Sequence, residues 1–246
     1  QRQAFFDAII ALQSEQRPNR YDQYVRIHLN YAKRVHGTAK FLPWHRIFIR
    51  AFEWHLQTVD PNVMLPYWDW TVNSQAPETD IIFSSEWFGG NGRDNDHCVE
   101  DGQFADWTTY YPRKSCLMRS FDGGSRLGVF HTPEGLEALA NQYSRFEDYN
   151  GRLETPAHNL IHYNIGGHMG TMYSTNDPLF FVHHAFIDMQ WALWQERSFQ
   201  HATNYGGRNF DGSTARVTDT LTPYQLTVRD VLDTRSLCYV YDRHYS

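Results

Sequence analysis

A chain of 246 residues, 41 % hydrophobic and 16 % aromatic, is long enough for one large domain, 1–246, that buries roughly 70–75 % of its unfolded surface. The net charge of −6, with basic residues scattered rather than in runs, argues against a nucleic-acid partner. No stretch reaches the ~20 apolar residues of a membrane span.

Residues 2–14 (RQAFFDAIIALQS) place apolar side chains at helical spacing, and so do residues 21–35 (YDQYVRIHLNYAKRV), which carry His28. Gly37 ends that second helix. A third is predicted to open at Pro43, PWHRIFIRAFEWHLQ, with Phe41 and Leu42 stapling its start. LPYWDW follows, then a polar, Gly-rich region from 71 to 133 that reads as loops with short irregular elements. Residues 134–149 read as a short helix. Thr155 as N-cap and Pro156 at the first helical position predict a fourth helix, carrying His158 and His162. Asp177-Pro178 repeats that signal for a fifth, PLFFVHHAFIDMQWALWQERSF, whose Trp191 and Trp194 read as core. Residues 200–246 read as loop with a strand at LCYVY. The fold class is therefore mainly α: a core four-helix bundle with long loops and little β structure, able to hold a metal centre between facing helices.

The three cysteines, Cys98, Cys116 and Cys238, form no CxxC pair, which excludes zinc ribbons and thioredoxin-type motifs. Cys98 and Cys116 bracket a Gly/Asp-rich insertion and can close a disulfide, favouring an oxidising, extracellular setting; two free thiols are the alternative. The chain starts with Gln1 and shows no signal-like segment, so it reads as processed or trimmed.

The 13 histidines sort by geometry. His158 and His162, four apart, stack on one helix face within ~6 Å of rise and can share an ion. A third ligand must come from elsewhere, and His184 is available. His183 is rotated ~100° from it, so only one of the pair is expected to face the site. His45 and His55 lie ~15 Å apart along one helix and cannot bind one ion. His28 and His36 would be ~12 Å apart on a continuous helix and can converge only if the chain turns back after Val35, which Gly37 permits. A second set of His28, His36 and His45 is thus possible though not demanded.

FLPWHR at 41–46, LPYWDW at 65–70, HNLIH at 158–162 and NDPLFFVHHAFID at 176–188 resemble the two copper-binding regions of tyrosinases and catechol oxidases. These are type 3 copper proteins, which also include molluscan haemocyanin units. Tyr239-Val240-Tyr241 is similar to the tyrosine motif that closes the catalytic domain in that family. The resemblance covers nearly the whole chain and is weakest at 85–130. It implies a dinuclear site, with copper A held by His28, His36 and His45 and copper B by His158, His162 and His184. An all-imidazole set suits copper, where a di-iron site would draw in carboxylates; zinc is the residual alternative.

The resemblance implies oxidation of small phenols by O2, with ortho-diphenols going to ortho-quinones. It also implies a water held by Glu154 and Asn159 that acts as base, favouring ortho-hydroxylation of monophenols as in tyrosinases; a helix-end carboxylate and a backbone-satisfying amide are the plain alternatives. Tyr163 and Met172 are expected at the mouth, with packing as an equal reading. Asp188, one turn beyond His184, is expected to fix a copper ligand through its free ring nitrogen, with a salt bridge as the alternative; Arg46 can pair with a core carboxylate. His55, His97, His131, His168, His201 and His244 match no ligand position. No cysteine lies between His28 and His36, so a Cys–His thioether cannot form there. The arginine that faces the tyrosine motif in the family has no match near the N-terminus, and a C-terminal lid domain is expected to be absent. The alternatives are a catechol or ortho-aminophenol oxidase without monophenolase activity and, more distantly, a haemocyanin-like O2 carrier. The physiological phenol and the oligomeric state are not readable.

Overall fold

The computed structural model describes residues 1–242. Helices α1 (Arg2–Ser14), α2 (Arg20–Val35) and α3 (Phe41–Gln57) come first. Asn19 caps α2 by accepting from the Asp22 N–H at 2.6 Å. Helix α3 starts two residues before the expected Pro43, so Phe41 and Leu42 are helical residues rather than a staple outside the helix. Proline is tolerated there because the first turn of a helix has no use for its missing N–H.

The stretch between α3 and the next helix is irregular, as the sequence suggested. It holds two single 3-10 turns, Pro77–Thr79 and Ile81–Phe83, and a hairpin of β1 (Thr108–Thr109) with β2 (Ser115–Cys116). The Cys98–Cys116 disulfide staples this region, and Cys238 is free and exposed. A fully buried pair, Arg119 with Asp177 at 2.7 Å, fastens the region to the bundle, and the same guanidinium donates to the Phe88 and Gly90 carbonyls. Asp177 also accepts from the N–H of Leu179, the first residue of α7 (Leu179–Glu196), whose cap position is Pro178, so the expected start at Asp177-Pro178 is shifted by one residue.

The expected single helix at 134–149 is two: α4 (Pro133–Gln142) and α5 (Phe146–Arg152). The break is stabilised because the Asn204 side chain accepts the Phe146 N–H at 2.9 Å, capping α5 from outside. The fourth predicted helix does not follow a loop either. Helix α5 runs through a π turn, Leu153–His158, into α6 (Asn159–Ile165). Thr155 alone leaves helical geometry (φ −133°, ψ 115°), and its hydroxyl accepts from the Asn159 side chain at 2.9 Å instead of capping backbone. Past α6 the chain needs glycine: Gly166 and Gly167 have φ of +62° and +54°, and a Cβ on either would lie 2.3 and 2.1 Å from the Ser120 and Met118 carbonyl oxygens.

Aromatic side chains make the seam between α3 and α7. Phe181 stacks on Phe52 at 3.6 Å and on Phe48 at 6.0 Å, and Tyr24 of α2 meets Phe48, Phe52 and Phe181 edge-on. Trp191 and Trp194 are fully buried, as expected. After α7 come α8 (Phe199–Thr203), a hairpin of β3 (Thr220–Leu221) with β4 (Leu226–Thr227), and α9 (Val228–Val231). The strand expected at Leu237–Tyr241 is absent. A 3-10 turn, Thr234–Leu237, ends there, with Cys238 in the left-handed region at φ +59°. The Arg50 guanidinium takes the carbonyls of Leu237 and Cys238 at 2.7 and 3.3 Å, so this backbone is satisfied by a side chain and not by a ladder. Among the described residues no helix is long and apolar enough to cross a membrane.

Candidate metal centre

His28 lies on α2, His36 just past its end and His45 near the start of α3; their ligand nitrogens lie within 4.8 Å of one another. The reversal that brings His36 back is at Gly37, φ +67°. His28 Nε2 and His45 Nε2 are 3.5 Å apart. Each outer nitrogen is occupied: Nδ1 of His28 lies 2.8 Å from the Met172 carbonyl, Nδ1 of His36 3.0 Å from that of Ala32, and Nδ1 of His45 2.8 Å from that of Phe41. A carbonyl can only accept, so each Nδ1 carries the proton and each Nε2 turns a lone pair inward.

The second cluster joins His158, at the entry to α6, and His162 to the neighbours His183 and His184 on α7, all with ligand nitrogens within 4.8 Å. His184 Nε2 is 3.2 Å from His158 Nε2 and 3.4 Å from His162 Nε2. Nδ1 of His158 is 2.9 Å from the Asn159 Oδ1, and Nδ1 of His162 is 2.7 Å from the Met169 carbonyl. The clusters adjoin, for the rings of His45 and His184 stack at 4.4 Å. Contrary to the expectation that only one of the α7 pair would face this cluster, His183 lies against it as well. Phe180, one turn before His184, stacks on that ring at 4.1 Å and meets His28 at 4.9 Å. It is a wall residue that its helical spacing from His184 could have revealed.

Burial pushes His28, His45, His158, His183 and His184 well below the ordinary histidine value, lowers His36, and brings His162 to about 4. All seven are neutral at pH 7, the form in which imidazole ligates a metal. Glu154 is buried too, and burial pushes its carboxyl up to about 7 against the pull of the Gly37 N–H, from which Oε1 accepts at 2.7 Å. It therefore touches the loop beside His36 while preceding the helix of His158. Tyr163 and Met172 are 66 % and 54 % exposed.

Asp188 does not do what its spacing suggested. Its oxygens accept from Arg46 Nε at 2.6 Å, from Tyr241 at 2.7 Å and from Tyr239, and none reaches His184, whose Nδ1 has no protein partner among the described residues. Arg46, next to His45, thus pairs with a core carboxylate and ties α3 to α7 and to the tyrosine motif. Arg50 of α3 lies beside the same motif, donating to the Leu237 and Cys238 carbonyls. Of the remaining histidines, His55 meets the Tyr24 hydroxyl, His168 accepts the Met118 N–H at 3.1 Å, and His201 packs on Trp194. His97 has φ +61°, His131 is half-buried, and neither lies in a cluster; His244 lies outside the described residues.

Both clusters offer imidazole only, with no carboxylate or thiolate among their ligand groups, a donor set that suits copper. Residues 18–197 match the family model described as the common central domain of tyrosinase. A tyrosinase of Streptomyces antibioticus is 34 % identical over 213 residues, 77 % of this chain and 77 % of that protein. A tyrosinase of Aspergillus flavus is 32 % identical over 98 % of this chain and 76 % of its own length. The fold matches a polyphenol oxidase of Thermothelomyces thermophila with a TM-score of 0.76 at 23 % identity, over 98 % of this chain and 85 % of that one. A functional unit of octopus haemocyanin matches at 0.67 and 20 %, over 98 % and 64 %. The chain belongs to the tyrosinase family of type 3 copper proteins, dicopper oxidoreductases that act on phenols with O2.

Proposed function

We propose that this chain oxidises ortho-diphenols to ortho-quinones and also hydroxylates monophenols at the ortho position. His28, His36 and His45 would hold one copper ion and His158, His162 and His184 the other. The observation that supports this best is the convergence of two imidazole trios, five of the six rings with Nδ1 fastened and Nε2 turned inward. When bound, the copper pair supplies the redox chemistry, passing electrons from the phenol to O2. Two diphenols reduce one O2 to two waters; a monophenol takes one oxygen atom from O2, gives an ortho-quinone and leaves one water.

The protein's own work is orientation and proton handling. Asn159 holds His158 in one tautomer through its Oδ1. Glu154, with a pKa of about 7, is divided between carboxylate and acid at neutral pH, where a general base works best. We assign Glu154 and Asn159 to a shared water that takes the proton of an incoming phenol. The exposed side chains of Tyr163 and Met172 would meet the substrate ring at the mouth. The disulfide fits an extracellular enzyme.

Oxygen uptake by copper-loaded protein, with tyramine or tyrosine set against a catechol, tests the reading. Uptake with both is expected. Uptake with the catechol alone would make the chain a catechol or ortho-aminophenol oxidase, and reversible O2 binding without turnover would favour a carrier.

A further inference from the structure

Seven imidazoles, His36 partly exposed, surround the two centres, and five are fastened. His28, His36, His45, His158 and His162 each have Nδ1 on a carbonyl or on Asn159. The two neighbours on α7 differ. Nδ1 of His184 and both ring nitrogens of His183 are buried and make none of the close hydrogen bonds that fasten the other five, although the His158 backbone lies near enough to the His183 ring to favour its protonated form. An imidazole must carry at least one N–H, and burying a donor or acceptor unmade costs about 1–3 kcal/mol. A position needed only for packing would be served better by Phe or Leu.

The position of His183 says what its nitrogens can do. Its ring stacks on His158 at 5.2 Å and 17° and meets His162 edge-on at 5.0 Å. His184 meets the same two rings at 4.8 and 5.6 Å. Although neighbours on a helix diverge by ~100°, both side chains lie against one fixed pair. Their surroundings otherwise part: His184 stacks on His45 of the first cluster, whereas His183 packs toward Trp70 at 6.4 Å.

We propose that His183 is an alternative third ligand at the second copper centre. His158 and His162 form a fixed pair, and either His184 or His183 completes it. With His184 the third ligand faces the first cluster; with His183 it is turned away from it. Ligand exchange between adjacent residues would join or part the two centres while both ions stay bound. The inference rests on the copper reading above.

The test is copper per chain, with electron paramagnetic resonance, on copper-loaded full-length protein carrying His184→Ala, alone or with His183→Phe. The single variant is expected to keep two ions, with signal from copper no longer spin-coupled to its neighbour, and the double variant to keep one. One ion in H184A, or two in the double variant, would overturn the proposal. Should H184A fail to fold, H183F on the natural background decides. Without the alternative ligand, release of the more labile copper into excess chelator is expected to quicken about tenfold, the low end of what one partner of a metal site is worth; an unchanged or slower rate rejects the idea. No copper in the unaltered protein would instead remove the reading beneath it.

Discussion

The two histidine clusters are built to different standards of rigidity. In the first, His36 and His45 each reach the carbonyl four residues earlier, Ala32 and Phe41, so the helices that present these rings also lock them. Only His28 needs a distant partner, the carbonyl of Met172. In the second, two rings are held by Asn159 and by the loop after α6, whereas the two on α7 lack a close carbonyl or amide fastening at their outer nitrogens. The difference teaches that ligand spacing and ligand fastening are separate designs. A cluster can have the right residues and still leave one ligand free to turn.

The largest expected effect comes from the rigid side. His45→Ala should cost one copper ion and bring catechol oxidation to background, because the described residues offer no spare imidazole there; metal analysis that still finds two ions would erase the contrast. Next is the tie between the clusters. Asp188→Asn would leave Arg46 buried beside Trp191 without its counter-charge, at a cost of about 3–5 kcal/mol measurable by denaturant unfolding. A loss under 1 kcal/mol would mean that α3 and α7 are set by aromatic packing alone.

Acid should break the copper-free protein. An unfolded histidine takes a proton as pH falls through its ordinary value of 6.5, and the buried rings refuse it. Stability is therefore full above about 6.5 and lost below it, by about 1.4 kcal/mol per pH unit for each refused proton. Glu154 works in the opposite sense between 4.5 and about 7, as one proton against several. Apoprotein equally stable at pH 5 and pH 8 would contradict the burial of these rings.

Asn159→Ala should depress monophenol hydroxylation about 10–100-fold and catechol oxidation far less; equal losses would reduce Asn159 to a tether for His158. Smallest of all, Tyr163→Ala should shift KM for bulky phenols with stability unchanged within about 0.5 kcal/mol. A larger loss of stability would show that Tyr163 packs rather than guards.

The sequence revealed most where chemistry and helical period coincide. His158 and His162 at four-residue spacing and the reversal at Gly37 are both local, and the structure has each of them; the helix start at Asp177-Pro178 is there too, one residue later than the sequence suggests. Contacts between distant segments were not legible. Asp188 stands one turn from His184, yet its partners, Arg46 and two tyrosines, come from elsewhere in the chain. Apolar alternation at LCYVY read as a strand because nothing local announces that Arg50 will take its carbonyls. Met172 was chosen for its side chain, while its backbone oxygen fastens His28, a role no residue type encodes. Helix geometry predicts that only one of His183 and His184 faces the site, which holds for a straight line of sight but not for rings packed around a shared pair.

Everything turns on whether both trios bind metal close enough to act together. Loading the unaltered chain with Cu(II), removing excess, and measuring bound copper alongside its paramagnetic signal answers this in one sample. The account predicts two ions per chain and a spectrum nearly silent from pairing of their spins. One ion per chain, or two with the full signal of isolated copper, would contradict it.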